Sequence, residues 1–162
     1  MTEKTQENKC IAVVRIRGTI SASRQVRETL KMLHLTRNNY ATLITDAPSF
    51  VGMLKTIQSF VTWGEASKET VAMLIKEKGR LIGNKKLTDE YAQKIGYKSL
   101  EELSEAIFNC KVEYWKLPHI QPVFKLHPPT KGFKGKIKKS YGMGGELGYR
   151  GENINELIKR MI

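Results

Sequence analysis

Three short runs of apolar and β-branched residues constrain the fold of this chain most strongly. They are CIAVVRIR at residues 10–17, YATLIT at residues 40–45 and FVTW at residues 60–63. Runs of this length, closed by glycine or by an Asp-Ala-Pro segment, are typical of β-strands. In the first run side chains alternate between the two faces of a strand, which places Arg15 and Arg17 on one face.

Segments with helical spacing separate these strands. Val26, Leu30 and Leu33 recur at helical intervals after a serine-rich turn, in which Ser21 or Ser23 is the expected N-cap. Ser49 is the expected cap of the next helix, whose apolar positions between residues 50 and 61 fit the same period. The order predicted for this part of the chain is β-α-β-α-β, an α+β core over residues 9–64.

Two further regions follow this core. Residues 65–117 predict a small helical insert, in which Ser67, Thr88 and Ser99 each precede a helical pattern. Residues 118–162 change character: an extended VFKL piece leads through two prolines into a segment rich in glycine and lysine. The chain ends on an amphipathic helix. We therefore predict three regions, and the basic segment of the third is tethered at both ends.

The charge is distributed unevenly along the chain. Of 28 lysines and arginines and 16 acids, residues 1–45 hold eight and three, while residues 111–162 hold eleven and four. Residues 46–110 are neutral, with nine of each sign. A net charge of +12 on 162 residues causes self-repulsion that a polyanion would relieve. Both flanks therefore indicate contact with a nucleic-acid backbone, in preference to a general solubility charge.

The glycine- and lysine-rich segment is the strongest candidate for RNA contact. Glycine lets the backbone approach phosphate closely and lysine supplies cations, while Phe133 and Tyr141 are candidates for stacking on unpaired bases. The alternative is a disordered basic loop without a fixed partner. Arginines near the first strand and on the first helix form a second candidate surface, because guanidinium groups suit phosphate contact; its alternative is a solvated helix face. The predicted RNA-binding residues are Arg15, Arg17, Arg24, Arg27, Lys31, Arg37, Lys131, Lys134, Lys136, Lys138, Lys139 and Arg150.

Other kinds of site have little support. The histidines are isolated and no Cys/His cluster has zinc spacing, so we expect neither metal nor cofactor. No motif of a nucleophile with its base, and no phosphate-binding Walker loop, occurs. Cys10 and Cys110 could pair on spacing alone, but we expect two reduced thiols. No apolar run approaches the length of a membrane span and the first nine residues lack an apolar signal core, so we expect neither.

Several segments together resemble the L-thirty family of large-subunit ribosomal proteins, in its longer archaeal and eukaryotic form. They are IAVVRIRG at 11–18, VTWGE at 61–65, KGRLIGNKKLTDEY at 78–91, VFKLHPP with its glycine loop at 123–135, and GGELGYRGENINELIKRM at 144–161. The resemblance implies a β-α-β-α-β core with a three-stranded antiparallel sheet of ferredoxin-like type, a helical insert and a basic C-terminal extension. It also implies a structural role without catalysis.

The function predicted is therefore that of a structural constituent of the large ribosomal subunit that binds and stabilises ribosomal RNA. The expected partners are large-subunit ribosomal RNA and neighbouring ribosomal proteins, with no membrane and no small-molecule substrate, and the expected location is cytoplasmic, on the ribosome. Two alternatives from other classes are a free-standing regulatory RNA-binding module and an RNA-modifying enzyme. The first would be favoured by an RNP1-like aromatic string and the second by a nucleophile or acid/base pair, and the sequence has neither.

Overall fold

The computed structural model describes residues 8–162, which form one six-stranded sheet with helices on both faces. The strands, in chain order, are β1 (Cys10–Arg15), β2 (Tyr40–Thr45), β3 (Val61–Glu65), β4 (Phe124–Lys125), β5 (Lys136–Ser140) and β6 (Gly145–Tyr149). Their order across the sheet is β4-β2-β1-β3-β6-β5. The α+β class and the β-α-β-α-β order of the first 65 residues are confirmed.

The prediction of a three-stranded antiparallel sheet is wrong. Strands β2, β1 and β3 do form an antiparallel centre, but the C-terminal region extends it on both sides. Strand β4 adds antiparallel to β2, with Phe124 opposite Ala41, and β6 adds parallel to β3, with Thr62 opposite Gly148. An exposed strand edge offers unpaired backbone donors and acceptors, and residues 118–162 supply the partners for both edges of the central three strands.

Helices α1 (Arg24–Met32) and α2 (Pro48–Ile57) connect the first three strands. Ser23 caps α1, as predicted, by accepting a hydrogen bond from the backbone N–H of Val26. Ser49 does not cap α2. That helix begins at Pro48, with Ala47 in the cap position two residues before Ser49, because proline has no N–H to leave unsatisfied and its φ suits the first turn.

The remaining helices come from residues 65–162. They are α3 (Lys68–Met73), α4 (Asp89–Lys94), α5 (Leu100–Phe108) and α6 (Ile154–Met161). Ser67 and Ser99 cap α3 and α5 through their hydroxyl groups, while α3 continues into a π-helical turn, Leu74–Lys78. Within residues 8–162 no helix combines the length and the apolar character needed to cross a membrane.

The sheet separates two apolar layers. On β1, Ile11 and Val13 pack with α1 and α2, whereas Ala12 and Val14 pack with residues of the insert and of α6. The alternation follows from the two-residue period of a strand. The C-terminal helix places Ile154 and Ile158, both fully buried, in this second layer. The insert and the C-terminal region thus share one core with the first three strands.

Candidate nucleic-acid interface

One end of the sheet gathers the exposed cations of the strands. The pairings of Val14 with Ala41 and of Arg15 with Val61 bring the carboxyl end of β1 next to the amino ends of β2 and β3. Since β6 runs parallel to β3, and β5 parallel to β6, the amino ends of β6 and β5 lie at the same end of the sheet. Lys125, at the end of β4, lies opposite Tyr40 at this end too. Four basic residues on the surface of this end of the sheet define what we call the basic end: Arg17, Arg37, Lys125 and Lys136.

The side chains of the basic end project from fixed backbone. Arg17 donates a hydrogen bond to the carbonyl oxygen of Ser59 at 3.1 Å, and its guanidinium carbon lies 5.3 Å from the centre of the Phe60 ring. This contact holds the cation over an aromatic face while leaving it half-exposed. Lys125 was not predicted, because the signal was the lysine cluster after Pro129. Lys125 could have been predicted only by recognising that the extended VFKL segment pairs with β2, which places this lysine at the basic end.

The opposite end of the sheet has a different character. Asp46 follows the carboxyl end of β2, and Glu65 ends β3, where both of its carboxylate oxygens accept the hydroxyl of Tyr149. The hydrogen bond to Glu65 raises the pKa of the Tyr149 phenol. Lys9 is exposed at this end too, and its backbone N–H bonds to Asp46. The surface cations next to the strands are therefore more numerous at the basic end, and the carboxylates Asp46 and Glu65 lie at the other end.

Helix α1 presents a second group of cations. Arg24, Arg27 and Lys31 are all exposed. Arg24 also bonds to the carboxylate of Glu28 at 2.8 Å, with both side chains largely in solvent, and such surface pairs contribute little to stability. Arg27 and Lys31 are one helical turn apart and have no ion-pair partner within residues 8–162.

The lysine-rich segment is partly a strand and not simply a loop. All five residues of β5, Lys136 to Ser140, are exposed, and β5 is the outer strand of the sheet. Lys138 and Lys139 therefore extend the cations of the basic end along that edge. Glycine is required beside them, because a Cβ atom on Gly145 would lie 1.9 Å from the carbonyl oxygen of Lys139.

The lysines before β5 are placed differently. Lys131 is exposed, at a positive φ of 66°. Lys134 pairs with Glu156 on α6, and that hydrogen bond lowers the pKa of the Glu156 carboxyl. Phe133, a candidate for base stacking, packs against the core and is only half-exposed, while Tyr141 stays exposed. The segment is thus tied to the body of the protein by both an ion pair and an aromatic contact.

Arg15, predicted to bind RNA, lies inside the protein. The residue is only 6% exposed, and its guanidinium group donates to the carbonyl oxygen of Leu35 at 2.9 Å and to the hydroxyl of Thr19 at 3.2 Å. Burial lowers the pKa of its guanidinium group. The strand ends at Arg15, so the expected alternation with Arg17 does not hold. Arg15 fastens the two loops that follow β1 and α1, and its donors are used inside the protein.

Arg150, also predicted to bind RNA, is buried in the same way. It is 7% exposed and bonds to the carboxylate of the buried Glu146 at 2.6 Å and to the hydroxyl of Thr62 at 2.7 Å. Its guanidinium carbon lies 4.9 Å from the centre of the Tyr141 ring, whose hydroxyl accepts a hydrogen bond from Asn153. Glu146 in turn accepts the backbone N–H of Gly135. This network joins β3, β6 and the approach to β5, and it orients the exposed Tyr141.

The two thiols lie near the opposite end of the sheet from the basic end. Cys10 is buried and Cys110 is half-buried, and both are free. They line one cavity of about 10 Å³ beneath Tyr114, and burial raises the pKa of the Cys10 thiol to about 12. In the part of the chain that the structure describes, no group of three or more His, Cys, Asp or Glu side chains is placed to hold a metal ion.

Comparison with known proteins identifies the family. Residues 11–61, which span β1 to the start of β3, match the model of the family described as ribosomal protein L30p/L7e. A protein of Thermofilum pendens named large ribosomal subunit protein uL30 is 47% identical over 151 residues, covering 93% of this chain and 97% of that protein. Proteins of the same name from Archaeoglobus fulgidus and Ignicoccus hospitalis are each 48% identical, covering 93% and 95% of this chain and 98% of their own lengths. The resemblance seen in the sequence is confirmed: the chain belongs to the ribosomal protein L30p/L7e family.

Proposed function

We propose that this chain is a structural constituent of the large ribosomal subunit and that it binds ribosomal RNA through the basic end of its sheet. The observation that carries the proposal is a collection of surface cations at one end of the sheet, in a chain whose relatives bear the name of a large-subunit protein. Lys125 and Lys136 lie on strands β4 and β5, while Arg17 and Arg37 lie in the loops next to β1 and β2. Cations at fixed positions suit phosphates at fixed positions, because little side-chain and backbone order has to be created on binding.

The contacts fall into three groups. The basic end supplies Arg17, Arg37 and Lys125, helix α1 supplies Arg27 and Lys31, and the edge strand β5 supplies its three lysines. Since phosphate contacts carry no base information, these cations fix the position of the protein on folded RNA. Tyr141 supplies a ring that can stack on an unpaired base.

Arg15 and Arg150 have a supporting role in this proposal. Arg15 fixes the loops that present Arg17 and Arg37, because it bonds to Thr19 and Leu35. Arg150 fixes Tyr141 and the start of β5. Both are positioning residues that act through their neighbours, and we assign them no direct contact with RNA.

The role is architectural and involves no catalytic step. Its partners are large-subunit ribosomal RNA and adjoining large-subunit proteins, and its place is the ribosome in the cytoplasm. Neutralising phosphates releases condensed counterions and lets RNA segments approach each other. The exposed acids of α4 and α5, among them Glu90 and Glu101, are unsuited to RNA and provide a surface for basic ribosomal proteins.

Sedimentation tests this proposal. The full chain, tagged and expressed in an archaeal host, should travel with the large subunit through a sucrose gradient at moderate salt. A variant with Arg37 and Lys125 of the basic end changed to glutamine should be displaced by a lower salt concentration than the parent protein. Recovery of the parent protein in the soluble fraction at moderate salt, as expected of a free-standing regulatory module, would contradict the proposal.

A further inference from the structure

The nearly balanced charge of residues 65–117, ten cations against nine acids, conceals a strong separation. Residues 74–88 carry five cations and a single acid, Glu77, whereas residues 89–110 carry five acids and two lysines. The cations surround a hairpin, which we call the basic hairpin (residues 79–87), joined by the bridge between Arg80 and Lys86. Most of the acids lie on α4 and α5. The insert is therefore basic on one side and acidic on the other.

The basic hairpin is fixed to the body of the protein. Ile82 donates its backbone N–H to the carbonyl oxygen of His119 at 2.9 Å. The backbone N–H of Gln121 donates to the carbonyl oxygen of Arg80, also at 2.9 Å. Leu87 is buried, and Leu81 packs against the core. A Cβ atom on Gly79 would lie 2.4 Å from Leu87, so the base of the hairpin is tightly packed. Its tip is thus held in place before any partner binds.

The tip is exposed, basic and without internal charge partners. Lys85 and Lys86 lie in solvent, and neither they nor Lys76 forms an ion pair within the described residues 8–162. Ile82, which lies between Lys78 and Lys85 in the sequence, is 68% exposed. At the base, the Lys78 ammonium lies 3.0 Å from His127 Nε2, which fixes a further cation beside the hairpin. An exposed apolar side chain between lysines suits RNA, where it can pack against a base while the lysines meet phosphates.

The hairpin lies on the far flank of the sheet from β5. It pairs through Leu81 with Ile120, in the segment that leads into β4, and β4 and β5 are the first and last strands of the sheet. Five interstrand steps of about 4.8 Å each separate these two strands by roughly 24 Å. That distance exceeds the spacing of neighbouring phosphates many times over, so the two flanks meet different parts of an RNA surface.

We propose that the basic hairpin is a second RNA-binding element, which contacts the phosphate backbone of an RNA segment distinct from the one that meets β5. The protein then bridges two RNA segments across the width of its sheet. This inference rests on the proposed function and adds a second surface to it.

Matched charge variants test the second element. The hairpin variant changes Lys85 and Lys86 to glutamine, and the control variant changes Lys94 and Lys98, which are exposed on the acidic side of the same insert. The affinity of each full-length variant for large-subunit ribosomal RNA is measured against salt concentration, with a thermal melt to show that it is folded. Loss of two phosphate contacts should make the log–log slope shallower by about 1.5 in the hairpin variant, while the control keeps the parent slope.

A variant of the edge strand separates this inference from the proposed function. Changing Lys136 and Lys138 to glutamine should also make the log–log slope shallower. Hydroxyl-radical footprinting should show that this edge variant leaves different nucleotides unprotected from those left unprotected by the hairpin variant. If only the edge variant changes the slope, the proposed function stands and the second element is refuted. If both variants expose the same nucleotides, the bridge is refuted. If neither changes the slope, both proposals fail.

Discussion

Replacing Arg150 by methionine separates an interior role from an RNA-binding role. The guanidinium group of Arg150 is enclosed by Glu146, Thr62 and the ring of Tyr141. Methionine fills much of the same volume but leaves the buried Glu146 carboxylate without its cation. We therefore expect the variant to lose folding stability and to loosen Tyr141 and the start of β5, while Arg17, Arg37 and Lys125 of the basic end keep their places.

The magnitude follows from the burial of the pair. Both side chains are at most 6% exposed, and removal of one partner from a buried ion pair costs about 3–5 kcal/mol. For a domain of this size, each kcal/mol lowers the melting temperature by about 2–4 °C, so the shift is roughly 6–20 °C. Changing Glu146 to glutamine in the same chain removes the stranded charge but keeps an acceptor for Gly135. The double variant should therefore be more stable than the Arg150→Met variant alone.

Chemical denaturation and RNA binding, measured on the same preparations, check this prediction. Arg27→Gln is the control, because Arg27 is exposed on α1 and unpaired. It should unfold at the parent midpoint and bind RNA more weakly. If Arg150→Met unfolds within about 0.5 kcal/mol of the parent, the range of ordinary surface substitutions, while losing RNA affinity, the interior assignment of Arg150 is wrong.

Three further outcomes follow from the packing. Changing the four lysines between residues 134 and 139 to glutamine should alter the melting temperature little and weaken RNA binding. By contrast, Ile57→Ala removes a fully buried side chain and should cost about 2–5 kcal/mol of folding stability. A lysine variant that melts early but binds RNA at full affinity would contradict this. Gly64→Ala should destabilise by about 1–3 kcal/mol, because its Cβ would lie 1.9 Å from the carbonyl oxygen of Gly151, and an unchanged melt would contradict that contact. Burial raises the pKa of Cys10 from 9.0 to about 12, so its neutral thiol stabilises the fold below pH 9 and this stability is lost as the pH rises from 9 towards 12. In unfolding experiments over this pH range, the free energy of unfolding should fall less steeply in Cys10→Ala than in the parent protein. Identical pH profiles would refute the assignment.

Local patterns predicted the first half of the fold well. The β-branched runs gave β1, β2 and β3, and the serine before each helical pattern gave the caps at Ser23, Ser67 and Ser99. These features depend on neighbours within one or two turns. The cap predicted at Ser49 is wrong because proline is favoured at the first position of a helix, so the helix begins at Pro48 and includes Ser49 in its first turn.

Long-range pairing could not be predicted in the same way. Strand β5 reads KIKKS, with no alternation of apolar and polar residues that would indicate a strand, and it exists because β6 pairs with it. Strand β6 joins β3 across about 86 residues of sequence. The sequence around β6 does not indicate that β3 is its partner. For this reason residues 118–162 were predicted to be an extension of the core, although they supply three of the six strands.

The candidate site was predicted in part for the same reason. A composition argument located the cations of α1 and of the lysine-rich segment, because charge is visible in the sequence. It could not distinguish Arg150 from its neighbours, since burial depends on Glu146 and Thr62. It also missed Lys125 and the basic hairpin. The hairpin was missed because cations and acids nearly balance over the whole insert, which hides their separation along it.

The salt dependence of RNA binding shows whether the exposed cations hold this protein on ribosomal RNA. The full chain is titrated with large-subunit ribosomal RNA over a range of salt concentrations, and log K is plotted against log salt. If about six phosphates are neutralised, the slope should be roughly −4 to −5, between the values for single-stranded and duplex nucleic acid. A slope near −1 would show that the exposed cations do not provide the binding, and would contradict the account.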